Sequence, residues 1–334
     1  MNVLDVFITV VFLLILMIPG FILIKTKMLD ENAEKALSTL VLYVCQPALM
    51  LMAFQKKPYS PDLAVNMLIV AGLSLLIHSV MIAFMMLVFR NKNKDAKINC
   101  LKFASVFGNC GYMGLPFLQS LFSGNQYEAE VLIYGGVVIM IFNLLTWSIG
   151  VFMMTGDKKQ INIKNALLNP TVIALLIGIL LFFTVQTPLK DVVDVAVGGS
   201  VGDKILEGLT KSVNFLSEMV TPLAMIVIGM KIAKVKPKQL FMDKWAYVNA
   251  LNKLIIMSVL TMLIVAFLPI DNIIKYSLFF LLSMPSANNT VLFAVNFGGD
   301  SESGSVFVLL STILSIATIP LMFLVMNGIF AIPI

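Results

Sequence analysis

The sequence predicts an all-α polytopic membrane protein with ten transmembrane helices. Of its 334 residues, 59% are hydrophobic and only 12% are charged, whereas soluble domains carry about 25% charged residues. Apolar runs recur from one end of the chain to the other, with lengths near the roughly 20 residues that a helix needs to cross a bilayer. These runs do not alternate between polar and apolar residues as the strands of outer-membrane barrels do. A bundle of membrane-spanning helices is therefore the predicted fold.

The predicted spans follow one another along the whole chain. They cover residues 6–24, 37–54, 63–89, 99–122, 129–154, 169–186, 213–232, 248–268, 273–297 and 304–327. The first span has no basic segment before it and no small-residue cleavage site after it, so we expect a retained helix rather than a signal peptide. The longest polar connection, residues 187–211, is predicted to form an external loop with a short surface helix.

Lysine and arginine are distributed unevenly between the two sides of the predicted membrane. The odd-numbered loops and the adjoining helix ends hold sixteen of these residues, and the even-numbered loops hold six. Because cytoplasmic loops carry the excess of positive charge, the odd-numbered loops are predicted to be cytoplasmic. The chain is thus expected in the plasma membrane with both termini extracellular or periplasmic. These loops account for the net charge of +5, so no nucleic-acid partner is expected.

Few residues of the chain are suited to catalysis or to holding a cofactor. The three cysteines lie in or beside apolar runs, at no spacing typical of metal ligands. No GxxxxGK[ST] segment for binding ATP phosphates occurs. Hydrolysis at membrane depth needs a paired acid and base, a metal cluster or an activated nucleophile, and one histidine with one membrane glutamate supplies none of these. We expect neither a metal, nor a cofactor, nor an enzymatic activity.

Prolines recur at corresponding places in the two halves of the chain. Span two carries CQPALML around Pro47, and span seven carries VTPLAMI around Pro222. Span four carries GNCGYMGLP ending at Pro116, and span nine carries MPSANNT with Pro285. Since five spans per half is an odd number, the second half would enter the membrane upside down, as in inverted-repeat transporters. This pattern predicts one repeat over residues 1–154 and another over 155–334, against the alternative that prolines are simply frequent in membrane helices.

Spans four and nine combine proline, glycine and asparagine at the depth of the membrane. A proline inside a helix removes a hydrogen bond and obstructs a carbonyl, and broken backbone persists in a membrane only where protein or water satisfies it. We therefore predict breaks over residues 108–116 and 285–289. The N-terminus of a half-helix carries partial positive charge, while Asn109, Asn288 and Asn289 offer neutral amides and Gly111 allows close approach of a ligand. The predicted result is an anion-binding site, and the alternative for each amide alone is an interhelical hydrogen bond.

The segments GNCGYMGLP, TPLAMIVIG and MPSANN, within a ten-span plan, together resemble the auxin efflux carrier family of membrane transport proteins. The resemblance implies a scaffold domain of spans one, two, six and seven, and a transport domain of spans three to five and eight to ten. Spans four and nine would cross at their prolines, an anionic substrate would bind beside the crossing, and transport would follow an elevator-like movement. It also implies a homodimer formed through scaffold helices. The family's crossover positions correspond to Asn109, Pro116, Pro285, Asn288 and Asn289 of this sequence.

The long cytoplasmic loop of many plant auxin exporters is absent, because only about ten polar residues join spans five and six. The chain therefore resembles the compact prokaryotic members of the family, which include malate and malonate permeases. A small dicarboxylate is accordingly the expected substrate in preference to auxin.

Four further polar residues within the spans are candidates for a role in transport. Glu218 is a candidate proton-coupling carboxylate or an interfacial residue paired with Lys211 or a neighbouring loop charge. Lys253 either extends to the cytoplasmic surface or gives an anion pathway positive potential. His78, the one histidine, is a candidate for ion coupling or a hydrogen-bonded packing residue, and Gln46 is expected to face the substrate across the domain boundary.

The leading functional hypothesis is a secondary transporter or uniporter for a small organic anion. A second hypothesis is a sodium-coupled symporter like the bile-acid carriers, with oxygen ligands drawn from Asn109, Ser286, Asn288, Asn289 and Thr290. A third is a ligand sensor that keeps the transporter fold. Sodium dependence of uptake distinguishes the first two hypotheses, and binding without transport in liposomes indicates the third.

Overall fold

The computed structural model describes residues 3–57, 59–92, 95–184, 200–234, 240 and 242–330. Its fourteen main helices in these ranges are α1 (Val3–Lys25), α2 (Asn32–Lys56), α3 (Pro61–Val88), α4 (Ala96–Val106), α5 (Leu115–Leu121), α6 (Glu128–Thr155), α7 (Ile163–Leu167), α8 (Pro170–Thr184), α9 (Ser200–Glu218), α10 (Val220–Lys234), α11 (Lys244–Ala266), α12 (Asn272–Ser283), α13 (Asn289–Asn296) and α14 (Ser301–Phe330). Within the described ranges no strand is present, and a single antiparallel β-bridge joins Gly108 to Ser286. The predicted all-helical class is confirmed.

Seven helical stretches in the described part of the chain are long and apolar enough to cross a membrane. They correspond to the predicted spans one, two, three, five, seven, eight and ten, of which spans three and eight are predicted to end one and two residues later than the helices do. An eighth span is counted if the segment Lys158–Leu167, which includes α7, and helix α8 form one span with a bend of 53° between them. This span corresponds to predicted span six. The predicted spans four and nine are each divided into shorter helices, α4 with α5 and α12 with α13. The number of ten therefore stays a prediction, whereas a multi-pass helical membrane protein is established.

The connection expected over residues 187–211 is only partly described. Residues 187–199, with the acidic Asp191 and Asp194, lie outside the described residues. Residues 200–211 belong to α9, which runs on to Glu218 and meets α10 at a turn at Met219. The second part of the expected loop is thus a continuous extension of the helix that precedes Pro222.

Several helices begin at side chains that satisfy the free N–H groups of the first turn. Asp30 accepts hydrogen bonds from the backbone N–H groups of Asn32 and Ala33 at the start of α2. Ser60 accepts one from Leu63, and α3 then opens with a proline, whose missing N–H needs no partner at that position. These local signals fix where the helices start.

Helix α2 continues through Pro47 without a break. A wide π turn over Val41–Cys45 precedes the proline. This turn allows the helix to continue although the proline ring removes one backbone hydrogen bond. Equivalent wide turns occur at Thr146–Gly150 in α6 and at Leu251–Ile256 in α11. Such turns are frequent near functional sites because they rotate the side chains that follow.

Helices α1 and α10 pack with their backbones in direct contact. A methyl group added at Gly20 would overlap the carbonyl oxygen of Ile226, and one added at Gly229 would overlap that of Met17. Glycines at such a contact allow close helix packing in membranes. The opposite face of α1 exposes large apolar side chains, including Leu4, Phe7, Ile8, Phe12 and Ile15, as expected for a surface against lipid.

The two interruptions, residues 107–109 and 284–288, are hydrogen-bonded to each other, and we call them the paired breaks. The Asn109 N–H donates to the Pro285 carbonyl oxygen at 2.7 Å, and the Ala287 N–H donates to the Phe107 carbonyl oxygen at 2.9 Å. The first break is shorter than predicted, because a π turn resumes at Cys110 and leads into α5. Pro116 lies in the first turn of α5, where a proline does not disturb the helix.

Candidate functional site

A cavity of about 340 Å³ lies beside the paired breaks, between them and helices α2, α6 and α8. Its polar side chains are mostly amides: Gln46, Asn109, Asn143, Asn165, Asn169, Thr171, Asn288 and Asn289. Aromatic rings supply much of the remaining wall: Tyr43, Tyr112, Phe142, Trp147 and Phe293. None of the lining residues identified in the described part of the chain carries a formal charge. Polar recognition in this chamber therefore rests on amides, hydroxyls and backbone groups.

Five of the seven residues predicted to bind substrate line this cavity: Gln46, Asn109, Gly111, Asn288 and Asn289. The structure thus brings together residues from both halves of the sequence. Pro116 and Pro285 are not among the lining residues. Pro285 instead contributes its carbonyl oxygen to the pairing of the two breaks, and Pro116 starts α5.

Asn288 carries a buried amide nitrogen that has no hydrogen-bond partner among the described residues. Asn288 lies at the beginning of α13 and lines two cavities. One is the cavity beside the paired breaks, and the other has a volume of about 430 Å³. The second cavity also contacts Glu34, Lys231, Lys234 and Glu302. Because most buried polar groups in proteins are paired, an unpaired donor between two cavities is suited to a ligand that supplies an acceptor.

Asn109 has a structural task at the first break. Its side-chain oxygen accepts a hydrogen bond from the Tyr112 N–H at 3.3 Å and so caps the π turn that follows. The neighbouring Tyr112 hydroxyl donates to the Ser38 carbonyl oxygen of α2 at 3.1 Å. The break is thereby attached to α2 as well as to its partner break.

Gln46 joins three elements around the cavity. Its side-chain nitrogen donates to the Gly111 carbonyl oxygen at 2.9 Å, and its oxygen accepts from the Thr171 hydroxyl at 3.2 Å. The side chain is buried and lies where α2, the turn before α5 and the start of α8 meet. Gln46 lines the cavity, and its facing the substrate across the domain boundary stays a prediction.

Helix α11 supplies two polar residues whose roles the sequence did not reveal. Asn249, fully buried, donates to the Ser286 hydroxyl oxygen at 3.0 Å and to the Phe307 carbonyl oxygen at 3.2 Å, and accepts from Ser105 at 3.2 Å. Lys253, one turn later, donates to the carbonyl oxygens of Val106 at 3.2 Å and Leu282 at 2.9 Å. Polar residues spaced four apart on an apolar span were the available signal, because they share one face of a helix.

The interpretation that Lys253 extends to the membrane surface is wrong. The side chain is fully buried, and its ammonium group binds the last carbonyls of α4 and α12 instead of water. The sequence looks the same whether a lysine four or five residues inside a span reaches the membrane surface or turns inward. The inward course depends on the neighbouring helix ends, which supply the carbonyl oxygens that bind the ammonium group.

The two other candidate coupling residues lie outside the cavity lining. His78 is buried, and its Nδ1 lies 2.7 Å from the Ser74 carbonyl oxygen of its own helix, as the packing interpretation expects. Glu218 is exposed and accepts from the Asn214 amide at 2.7 Å. The pairing of Glu218 with Lys211 is wrong, since Lys211 bonds Glu207 on the same helix. A role of either residue in coupling remains a prediction.

A family model described as a membrane transport protein matches residues 5–166 and 160–323, which together cover most of the chain. The chain belongs to this family, that of the auxin efflux carriers. It is also 25% identical over 317 residues to an uncharacterized transporter of Methanocaldococcus jannaschii, covering 93% of this chain and 96% of that protein. A protein of Rhizobium meliloti named "Putative malonate transporter" is 25% identical over 333 residues, covering 94% and 96% of the two chains.

Membership of the family makes this protein a multi-pass membrane transporter, with a small molecule as its substrate and the bilayer as its environment. The family and the names of its relatives indicate transport rather than catalysis. The cavity between the paired breaks and α2 is the candidate site for that substrate.

This transporter contains no group of three or more histidine, cysteine, aspartate or glutamate residues able to hold a metal ion within its described ranges. Two of the oxygen atoms proposed as sodium ligands already accept hydrogen bonds from the protein. Asn109 accepts from Tyr112, and Ser286 accepts from Asn249, so neither oxygen is free of a protein donor. Of that set, Thr290 keeps a buried hydroxyl without a partner.

Proposed function

We propose that this transporter moves a small organic anion whose carboxylate binds at the paired breaks, beside Asn288 and Asn289. The observation that carries the proposal is the buried, unpartnered amide of Asn288 in a cavity without charged side chains. The first N–H groups of α13 adjoin it, and the N-terminus of a helix favours a negative charge. A carboxylate supplies the acceptor that the Asn288 side-chain amide lacks, and the name of the Rhizobium relative favours a small dicarboxylate such as malonate.

The proposed architecture is two inverted five-helix repeats, residues 1–154 and 155–334, whose broken spans four and nine cross at the paired breaks. The close contact of α1 with α10 supports this arrangement, because the symmetry-related contact would join α8 to the second half of α2. That contact exists: Phe54 of α2 lies against Gly178 of α8. The shared proline positions in spans two and seven, and in spans four and nine, support the same division.

We further propose an elevator mechanism in which α1, α2 and α8–α10 form the scaffold and the remaining helices move. The cavity reaches Asn165 and Asn169 next to the lysine-containing connection between α6 and α8. On the opposite face, Lys56 at the end of α2 and the following Lys57 form ion pairs with Glu128 and Glu130 of α6. The structure thus corresponds, in this proposal, to the state in which substrate enters from the lysine-rich side.

The loop charges and the family resemblance support a proposal for the orientation, the membrane and the assembly. We propose that the lysine-rich loops are cytoplasmic, that both termini lie outside the plasma membrane, and that scaffold helices form a homodimer. The exposed apolar face of α1 is available to lipid or to a second subunit.

Binding of carboxylates to the purified full-length protein tests the substrate proposal. We expect malonate or a related small carboxylate to bind, and Asn288→Ala to weaken it by roughly tenfold to a hundredfold, since a hydrogen bond to a charged group contributes about 1.5–3 kcal/mol. Isothermal titration calorimetry measures the change. Asn296→Ala, at the exposed far end of α13, is the matched control and should bind normally. Equal affinity of Asn288→Ala and the wild type would contradict the proposed site.

A further inference from the structure

Lys253 is a fully buried lysine whose ammonium group has no carboxylate partner among the described residues. It donates hydrogen bonds to two carbonyl oxygens, those of Val106 and Leu282. An unpaired ammonium inside a protein is costly unless other groups compensate its charge. The charged form of this side chain therefore depends on a nearby source of negative potential.

Two helix C-termini supply that potential. Val106 is the last residue of α4, and Leu282 is the penultimate residue of α12. The last carbonyl groups of a helix have no partner in the helix and carry partial negative charge. Both helices end at the paired breaks, so two negative helix ends meet at the Lys253 ammonium.

The backbone at Gly108 lies close to the Lys253 side chain. A methyl group added at Gly108 would lie 2.9 Å from Nζ of Lys253, so a residue other than glycine would displace the ammonium from the first break. Lys253 also lies within the π turn Leu251–Ile256, and Asn249 one turn earlier holds the second break through Ser286. Helix α11 thus presents one neutral and one charged group to the same pair of breaks.

We propose that the Lys253 ammonium is the built-in cation of the paired breaks, filling the place that a dissolved monovalent cation such as Na⁺ would otherwise take. Backbone carbonyl oxygens are hard oxygen ligands that bind metal cations as well as ammonium groups. With the Lys253 ammonium already bound to these carbonyl oxygens, the paired breaks keep their geometry without Na⁺. The helix N-termini at the breaks remain available to the substrate. The expected effect of Lys253 on substrate binding rests on the proposed function. Its expected effect on the stability of the paired breaks does not.

The first experiment compares thermal unfolding of the full-length wild type, Lys253→Ala and Lys275→Ala in sodium, methylammonium and tetramethylammonium salts. Lys275 is the matched control, because it also donates to a carbonyl oxygen, that of Ala266, but at the far end of α12. We expect Lys253→Ala to melt at a lower temperature and to be restored in part by sodium or methylammonium. Tetramethylammonium has no N–H group and should not restore it, and the other two proteins should not distinguish the three cations.

The second experiment measures malonate binding by the same proteins with and without sodium. We expect wild-type affinity to change less than twofold, and the affinity of Lys253→Ala to fall at least tenfold without sodium and to recover when sodium or methylammonium is added. Lys253→Met, which keeps a long apolar chain, replaces the alanine variant if that variant does not fold.

Each result decides for or against the proposal. Sodium-dependent binding by the wild type, or a Lys253 variant that is insensitive to the nature of the cation, would overturn it. If the wild type binds no carboxylate while cations still restore the melting temperature of Lys253→Ala, the built-in cation stands and the proposed substrate class fails.

Discussion

At the scale of single residues, Asn249 and Lys253 of α11 join the elements that meet at the paired breaks. Asn249 bonds side chains or carbonyls of α4, the second break and α14, and Lys253 bonds the ends of α4 and α12. Both side chains are fully buried, where a polar group that loses its partner is left in an apolar environment. The geometry of the breaks therefore depends on one face of α11.

The Asn249 contacts predict a measurable loss of stability on truncation. Asn249→Ala removes three interhelical hydrogen bonds, and each contributes about 0.6 kcal/mol on average in membrane proteins. We expect the free energy of unfolding to fall by about 1–3 kcal/mol. Equilibrium unfolding in mixed detergent micelles measures it, with Asn296→Ala as the exposed control. A loss no larger than that of the control would mean that these bonds do not stabilise the fold.

At the scale of helices, glycines bring the backbones of α1 and α10 into direct contact. Gly20 and Gly229 face carbonyl groups of the opposite helix, and a carbonyl fixed in a helix cannot move aside as a flexible side chain can. Gly72 of α3, by contrast, has open space where a side chain would begin. The same residue type therefore has different consequences in two spans of similar composition.

Substitution of these glycines by alanine tests the difference. Gly229→Ala should separate α1 from α10 and lower the free energy of unfolding by about 1–3 kcal/mol, the usual cost of overpacking. Gly72→Ala should be neutral or slightly stabilising, because alanine favours the helix by about 1 kcal/mol. Thermal unfolding of both variants gives the comparison, and an equal effect at the two positions would exclude the close backbone contact.

At the scale of the whole molecule, two ion pairs and a side-chain hydrogen bond join the proposed scaffold to the proposed moving helices on the lysine-poor face. The Lys56–Glu128 and Lys57–Glu130 ion pairs join α2 to α6 there, and Thr221 donates to the Gln119 side-chain oxygen at 2.8 Å. In an elevator mechanism these contacts belong to one state and are broken in the other. Their removal should therefore change the populations of the two states.

Glu128→Gln combined with Glu130→Gln tests this expectation. Exposed ion pairs contribute about 0.2–1 kcal/mol each, so loss of two, about 0.4–2 kcal/mol, should shift the equilibrium roughly twofold to thirtyfold away from the described state. The labelling rate of a cysteine at Leu292, an exposed residue of the cavity wall, reports the change. Glu207→Gln, which breaks the Lys211 pair within α9, is the control, and identical labelling in both would count against the two-state movement.

The sequence by itself determined the membrane class, most of the helices, the family and the region of both breaks. These features depend on local composition and on proline, which disturbs a helix wherever the chain places it. It also identified Gln46, Asn109, Gly111, Asn288 and Asn289, because amides and glycines are rare enough in apolar spans to stand out.

Only the tertiary structure decided which of these groups meet and which already have partners. The pairing of Asn109 with Pro285, the contact of Gln46 with Gly111, and the inward course of Lys253 each join residues distant in the sequence. A hydrogen bond exists only when both partners arrive at the same place, and the packing of the helices fixes that place.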